Sequence, residues 1–232
     1  VNWGAVIVAA GRGTRFGRPK QLIDLGGQPL VTWSIATFAA MPEVVEIVVT
    51  TEPEFLDEMA SAVRTFAGNV PLRVVPGGAT RQASVRAGLA ALSDRSDGAF
   101  VHDGARPLVQ AADVRAGMRE VRAGRGALLA TPAIDTVKIV DAERRVQETL
   151  DRARLWNAQT PQFGMRADLI RAHDEGARSG SPPATDDAAL LERIGVEVVV
   201  VEAAAENFKV TLPGDLIRAE AIMRGRAEPV RP

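Results

Sequence analysis

Alternating apolar strands and amphipathic helices predict an α/β protein with a mostly parallel sheet. Three observations carry this. Short apolar runs rich in β-branched residues recur at 6–10, 44–50 and 72–75, without the polar alternation of a strand with one wet face. Helical stretches at 30–40 and 54–67 separate them, so the strands need crossover connections and pair in parallel. Glycine-rich junctions follow the first and third runs, at the sheet edge where such folds bind ligands.

The first run leads into the stretch AVIVAAGRGTRFGRPKQ, residues 5–21. Gly11 and Gly13 let the backbone turn sharply and bring its N–H groups close to a ligand. Arg12, Arg15, Arg18 and Lys20 add dense positive charge. A donor-rich cationic loop after a buried strand fits a polyphosphate, although a solvated basic turn has the same composition. The P-loop pattern fails, because Gly17 is followed by Arg18 and Pro19. The dinucleotide fingerprint fails too: Phe16 replaces its third glycine, and Pro19 interrupts the helix that should follow. The charge is better matched to a triphosphate from which pyrophosphate leaves.

Composition narrows the classes. The chain has 232 residues, 46% of them hydrophobic, enough for one large α/β domain or two small ones. A formal net charge of −1 gives no basic field for nucleic acid, so the cations are local, as a small anionic substrate requires. The absence of cysteine excludes disulfides, a thiolate nucleophile and Cys-ligated metal. With His102 and His173 as its sole histidines, the chain is ill suited to a His-rich metal centre. No apolar stretch has membrane-spanning length. The first strand starts almost at once, leaving no room for a signal peptide, so a soluble cytoplasmic protein is expected.

Further along, residues 22–27 form a turn, and Pro29 sits at the start of the helix over 30–40. The junction after 72–75 carries Gly77 and Gly78 and opens a helix running through residue 92. Arg81 and Ser84 share a face of its first turn, placed either for a base or ribose contact or for simple capping. A fourth strand, residues 99–102, runs into Asp103 on the same edge. Mg²⁺ takes one or two carboxylates and leaves its other positions to phosphates and water, so Asp103 is the candidate metal ligand. A plain Asp103–Arg106 pair is the alternative, and His102 reads as a packed strand residue. A helix over 112–123 and a strand over 127–131 follow. Alternating runs at 136–140 and 146–150 flank a polar turn and predict a hairpin, an arm for a partner subunit. Residues 152–163 form a return segment, and 166–177 a helix. Thr185 is expected to cap a further helix, with Asp186 and Asp187 favouring its dipole. A buried strand over 196–201, a short strand over 207–211 carrying Lys209, and a helix from Pro213 complete the chain. The expected organisation is one domain over 1–225, with the arm inserted at about 134–155, and a polar tail over 226–232.

The ordered segments AAGRGTRFGRPKQ, GGATRQASV, VHDGARP, DTVK, LWNAQTPQF, TDDAALLERIG and NFKVT resemble the 2-C-methyl-D-erythritol 4-phosphate cytidylyltransferase family from residue 5 to about 216. The first segment is common to many nucleotidyltransferases; LWNAQTPQF and NFKVT are more specific. One departure is Gly104, where the family usually has alanine and where a looser turn is expected. The resemblance implies a single Rossmann-like nucleotidyltransferase domain with a dimerisation hairpin. It implies transfer of a cytidylyl group from CTP in non-mevalonate isoprenoid biosynthesis. Arg15 and Lys20 fall on the family's catalytic cations. Ala10, Gly11, Gly13, Gly78, Arg81, Ser84 and Asp103 fall in its CTP-binding segments, with Mg²⁺ near Asp103. Arg152 and Lys209 fall on residues that hold the methylerythritol phosphate, with Arg106 and Thr136 in the same region. The family is a homodimer, in which Thr136 and Arg152 would serve the other subunit. The alternatives are a related enzyme acting on ribitol phosphate, a non-catalytic nucleotide-binding regulator and an NAD-dependent dehydrogenase.

Overall fold

Strand β1 (Trp3–Val8) is buried along its whole length because helices cover both faces of the sheet. Its alternate side chains go to opposite layers: Trp3, Ala5 and Ile7 to one apolar core, Val6 and Val8 to the other. The computed structural model describes residues 1–11, 19–178, 180, 182 and 184–227. Arg15 and Gly13 therefore lie outside the described residues, as do Arg12 and Arg18.

After a 3₁₀ turn at Lys20–Leu22, a small hairpin of β2 (Asp24–Leu25) and β3 (Gln28–Pro29) precedes α1 (Leu30–Ala39). Then come β4 (Val44–Thr51), α2 (Leu56–Val63), β5 (Leu72–Pro76), α3 (Arg81–Ala91), β6 (Gly98–Asp103), α4 (Ala111–Glu120) and β7 (Arg125–Pro132). The arm carries β8 (Lys138–Val140) and β9 (Val146–Thr149). The chain ends with β10 (Trp156–Met165), α5 (Arg166–Arg178), α6 (Asp187–Arg193), β11 (Glu197–Glu202) and α7 (Pro213–Ala227). The main sheet has seven strands in the order β11-β7-β10-β6-β1-β4-β5. All its pairings are parallel except those of β10, which runs against both neighbours.

One core packs Trp3, Phe38, Phe100 and Phe163 together, with Phe38 and Phe100 edge to face at 4.9 Å between ring centroids. The other lies under α3, α5 and α6 and includes Val85, Leu89, Leu169 and Leu191. A third cluster packs α7 through Ala219 onto Leu25, Leu30, Leu108 and Val210.

Several elements differ from the sequence expectation. The return segment is the ten-residue strand β10, inside the sheet. Its polar residues and Pro161 conceal it. Its pairing with β7 shifts register between Ala158 and Gln162, and such a bulge tolerates a proline. Residues 207–211 form no strand; they are held by side-chain and single backbone bonds. Asp186, not Thr185, caps α6, accepting from the Ala189 amide at 3.0 Å. Strand β11 lies at the sheet's edge and is half-exposed rather than buried. Helix α2 stops at Val63, short of residue 67. Helix α7, expected from Pro213, runs to Ala227.

Candidate active site

Strand β1 is flanked by β4 on one side and β6 on the other, so the strand order reverses there and a crevice opens beyond the strand ends. Val8 and Asp103 are level in the register. The described residues around the crevice include Ala10, Gly11, Lys20, Arg81, Asp103 and Lys209. The structure thus gathers these residues, from five separate stretches of chain, where the sequence places a phosphate site.

Asp103 is the centre of the charge arrangement. Its Oδ1 accepts from Arg81 Nε at 3.2 Å and its Oδ2 from Lys209 Nζ at 2.8 Å, while Arg106 Nε stands 4.0 Å away. Burial alone would push its carboxyl pKa up; the cations of Arg81 and Lys209 outweigh that and hold it well below the usual carboxylate range. Burial works against the charge of Arg81, but the carboxylates of Asp187 and Asp103 beside it raise its pKa. Asp103 stays anionic and Arg81 cationic at any physiological pH.

The 207–210 segment delivers Lys209. Asn207 is fully buried and donates from Nδ2 to Gln159 Oε1 and Thr160 O, both at 2.9 Å. Arg106 Nη1 donates to Asn207 O at 2.8 Å, and the Val210 amide to Ala105 O at 2.8 Å. Arg106 therefore supports the loop that carries Lys209, and burial lowers its own pKa. On the same segment, Val210 O accepts from Lys20 Nζ at 3.1 Å. Lys20 and Lys209 are thus tied to one loop.

His102 is a packed strand residue, as expected. Its Nε2 donates to Arg106 O at 3.0 Å and its Nδ1 accepts from Thr160 Oγ1 at 3.2 Å. Burial pushes its pKa down to about 4, so it is neutral and has no lone pair left for proton abstraction.

The second glycine junction is closed by packing. A Cβ on Gly77 would lie 2.7 Å from Ala10 Cβ and 2.9 Å from Ser84 Oγ, and one on Gly78 would collide with Ala83 Cβ. Ser84 Oγ accepts from the Gly78 amide at 3.1 Å and donates to Thr80 O at 2.9 Å. Ser84 acts as the brace of this loop, with its hydroxyl committed. Gly104 lies in a close-packed turn: its amide donates to Val8 O at 2.9 Å, and a Cβ there would come within 3.1 Å of that oxygen.

Thr136 and Arg152 do not join this set. Both lie on the arm, exposed, and Arg152 Nη1 donates to Ile134 O at 2.8 Å. Strands β8 and β9 pair with each other and with no strand of the main sheet. The arm exposes Ile134 (80%), Val146 (61%) and Val140 (47%), apolar area of the kind that a partner covers.

Sequence reasoning missed Gln159, Thr160, Gln162 and Asn207 as organisers and undervalued Asp187. Asp187 is more than a helix-dipole residue, for it is fully buried against Arg81 at 2.8 Å and His173 at 3.1 Å. The available signal was a polar run, Gln-Thr-Pro-Gln, ahead of a buried Phe163.

A mostly parallel sheet whose switch point holds glycine-walled loops and a cation-ringed carboxylate defines an α/β enzyme of the nucleotidyltransferase kind. The family model for IspD, 2-C-methyl-D-erythritol 4-phosphate cytidylyltransferase, matches residues 4–225, and the chain belongs to that family. It is 43% identical over 231 residues to the 2-C-methyl-D-erythritol 4-phosphate cytidylyltransferase of Xanthomonas campestris pv. campestris, covering 96% of this chain and 84% of that protein. Its fold matches the 4-diphosphocytidyl-2C-methyl-D-erythritol synthase of Anaerococcus prevotii with a TM-score of 0.83 at 28% identity, over 96% of this chain and 98% of that one. It also matches the 2-C-methyl-D-erythritol 4-phosphate cytidylyltransferase of Thermus thermophilus, with a TM-score of 0.75 at 32% identity, over 97% of this chain and 100% of that one.

Proposed function

We propose that this chain transfers a cytidylyl group from CTP to 2-C-methyl-D-erythritol 4-phosphate, giving 4-diphosphocytidyl-2-C-methyl-D-erythritol and pyrophosphate, in non-mevalonate isoprenoid precursor biosynthesis. The observation that carries the reading is the cationic crevice at the β1/β6 switch point, where Lys20, Arg81 and Lys209 surround Asp103. The acceptor phosphate is already ionised near neutral pH. It attacks the α-phosphorus of CTP in line, forming one P–O bond while the bond to the pyrophosphate bridging oxygen breaks. No general base is required, in keeping with a neutral, fully hydrogen-bonded His102.

The main obstacle is bringing two anions together, so positioning and charge neutralisation supply the catalysis. Arg15 and Lys20 would neutralise the triphosphate, and Gly11 and Gly13 would bring backbone N–H groups to it, while Gly78, its amide held by Ser84 Oγ, would shape the wall of the nucleotide site. Lys209 is the more exposed partner of Asp103, at 42% of its side chain, so its ammonium is the one able to leave for an incoming phosphate. Asp103 is the one carboxylate among the described residues lining the crevice, and no cluster of three or more metal-ligating side chains occurs among the described residues. That donor set fits Mg²⁺ carried largely by the triphosphate, with Asp103 as its protein ligand. Bound there, Mg²⁺ would supply further charge neutralisation.

The reading makes the chain a cytoplasmic homodimer joined through the arm, binding neither nucleic acid nor membrane. The exposed apolar arm supports the dimer. The near-zero net charge gives no basic field for nucleic acid, and no helix among the described residues is long and apolar enough to cross a membrane.

Pyrophosphate release tests the reaction. Release is expected with Mg²⁺, CTP and 2-C-methyl-D-erythritol 4-phosphate, and not with ribitol 5-phosphate or the other nucleoside triphosphates. Release with another acceptor would change the pathway, and CTP binding without any release would favour a non-catalytic regulator. Within the reaction, Lys209→Ala is expected to raise the KM for the sugar phosphate by about tenfold or more, the cost of one charge-assisted contact. A rise in the KM for CTP alone would remove Lys209 from the acceptor site.

A further inference from the structure

Asp187 is a fully buried carboxylate that the reaction as described does not use. Burying a carboxylate is costly unless its partners are well placed. The short helix α6 does not need it, because Asp186 already caps that helix. Its oxygens are divided: Oδ1 accepts from His173 Nε2 at 3.1 Å, and Oδ2 from Arg81 Nη2 at 2.8 Å. Its backbone is fixed by Gln162, whose Oε1 accepts from the Asp187 and Ala188 amides at 2.8 Å each. The Gln162 Nε2 in turn donates to Asp186 Oδ2 at 3.1 Å and to Gln159 O at 3.2 Å. The whole assembly presents one carboxylate oxygen to Arg81.

Arg81 is therefore stretched between two carboxylates, with Nε on Asp103 and Nη2 on Asp187. A guanidinium with one carboxylate in reach closes on it with two parallel bonds. Asp187 prevents that closure on Asp103. The geometry points to Asp187, held by His173 and Gln162, as a positioning residue of the nucleotide site. It fixes the plane of the Arg81 guanidinium and leaves Asp103 Oδ2 to Lys209 and the ligand. This deepens the cytidylyltransferase reading and rests on it.

Asp187→Asn isolates the charge. The side chain keeps its shape, and its amide can face His173. The ring's Nδ1 has no partner among the described residues, so the ring can switch tautomer and accept at Nε2. Calorimetric CTP affinity is expected to weaken about tenfold or more, the loss of one charge-assisted bond, while the KM for the sugar phosphate stays within about twofold. In an Arg81→Met background, Asp187→Asn is expected to weaken CTP binding no further, because the two residues act as one unit. Equal weakening of both substrates, or additive effects with Arg81→Met, would overturn the assignment. Should Asp187→Asn not fold, His173→Leu decides: it removes the donor to Asp187 and is expected to weaken CTP about threefold with the same selectivity. Unchanged CTP affinity in folded His173→Leu would also overturn it. Failure of the unsubstituted protein to bind CTP would overturn the underlying reading, and this inference with it.

Discussion

Lys20→Ala is expected to lower turnover by roughly a hundredfold or more, about 2.7 kcal/mol of transition-state stabilisation. Lys20 opens the 3₁₀ turn directly after the first loop, and its ammonium donates to Val210 O at 3.1 Å. It is thereby held over the crevice beside the segment that carries Lys209. Charge on the pyrophosphate grows as the bridging P–O bond breaks, so a cation fixed in this place binds the transition state better than the ground state. The loss should therefore appear mainly in kcat. Lys20→Arg keeps the charge but moves it, and is expected to retain an intermediate rate. Melting temperatures near wild type in both variants would exclude a folding effect. Turnover of Lys20→Ala within about threefold of wild type would remove Lys20 from the mechanism, since losing a charge stabiliser costs far more.

The fold is legible in this sequence wherever burial alone determines local structure. Residues 6–8 must be covered on both sides, and only a sheet with helices on both faces does that. Legibility fails where a polar group is satisfied by a distant one. Strand β10 sits centrally yet carries Gln159, Thr160 and Gln162, because Asn207, the Asp103 amide and the start of α6 answer them. None of those partners is near in sequence, so local pattern reads the segment as a connection. Residues 207–211 fail in the opposite direction. Their apolar and β-branched composition looks like a strand, but no ladder forms: the Asn207 side chain anchors them to β10 and the Val210 amide to Ala105.

The site divides in the same way. Glycine, arginine and lysine after a buried strand carry their chemistry in the local sequence, and Asp103 at a strand end could be placed by topology alone. Asp187 could not. Beside Thr185 and Asp186 it looks like part of a helix cap, and only the approach of α3 and α5 makes it a buried partner of Arg81 and His173. Arg106 was legible as a partner for Asp103, and its bond to Asn207 O makes it the support for Lys209.

Pairing two impaired variants in one dimer is expected to restore activity. Thr136 and Arg152 lie on the exposed arm and are absent from the described lining of the crevice that holds Lys20 and Lys209. The turn of the arm is self-contained, with Asp141 Oδ1 accepting from the Glu143 and Arg145 amides at 3.0 and 2.8 Å. The arm thus has a rigid tip of its own but no cover for Ile134, Val140 and Val146. On the cytidylyltransferase reading a second copy of the chain, related by a two-fold axis, packs on the arm, and each Arg152 would serve the neighbouring crevice. In a heterodimer of Lys20→Ala with Arg152→Ala, one crevice would then collect both defects and the other would be intact. Such a heterodimer, purified through two different tags, should show about half the wild-type rate, the value two-fold symmetry dictates. If Arg152 served its own chain, each crevice would keep one defect, and the heterodimer would run no faster than the mean of its two parents. A chain that sediments as a monomer would remove the shared site altogether.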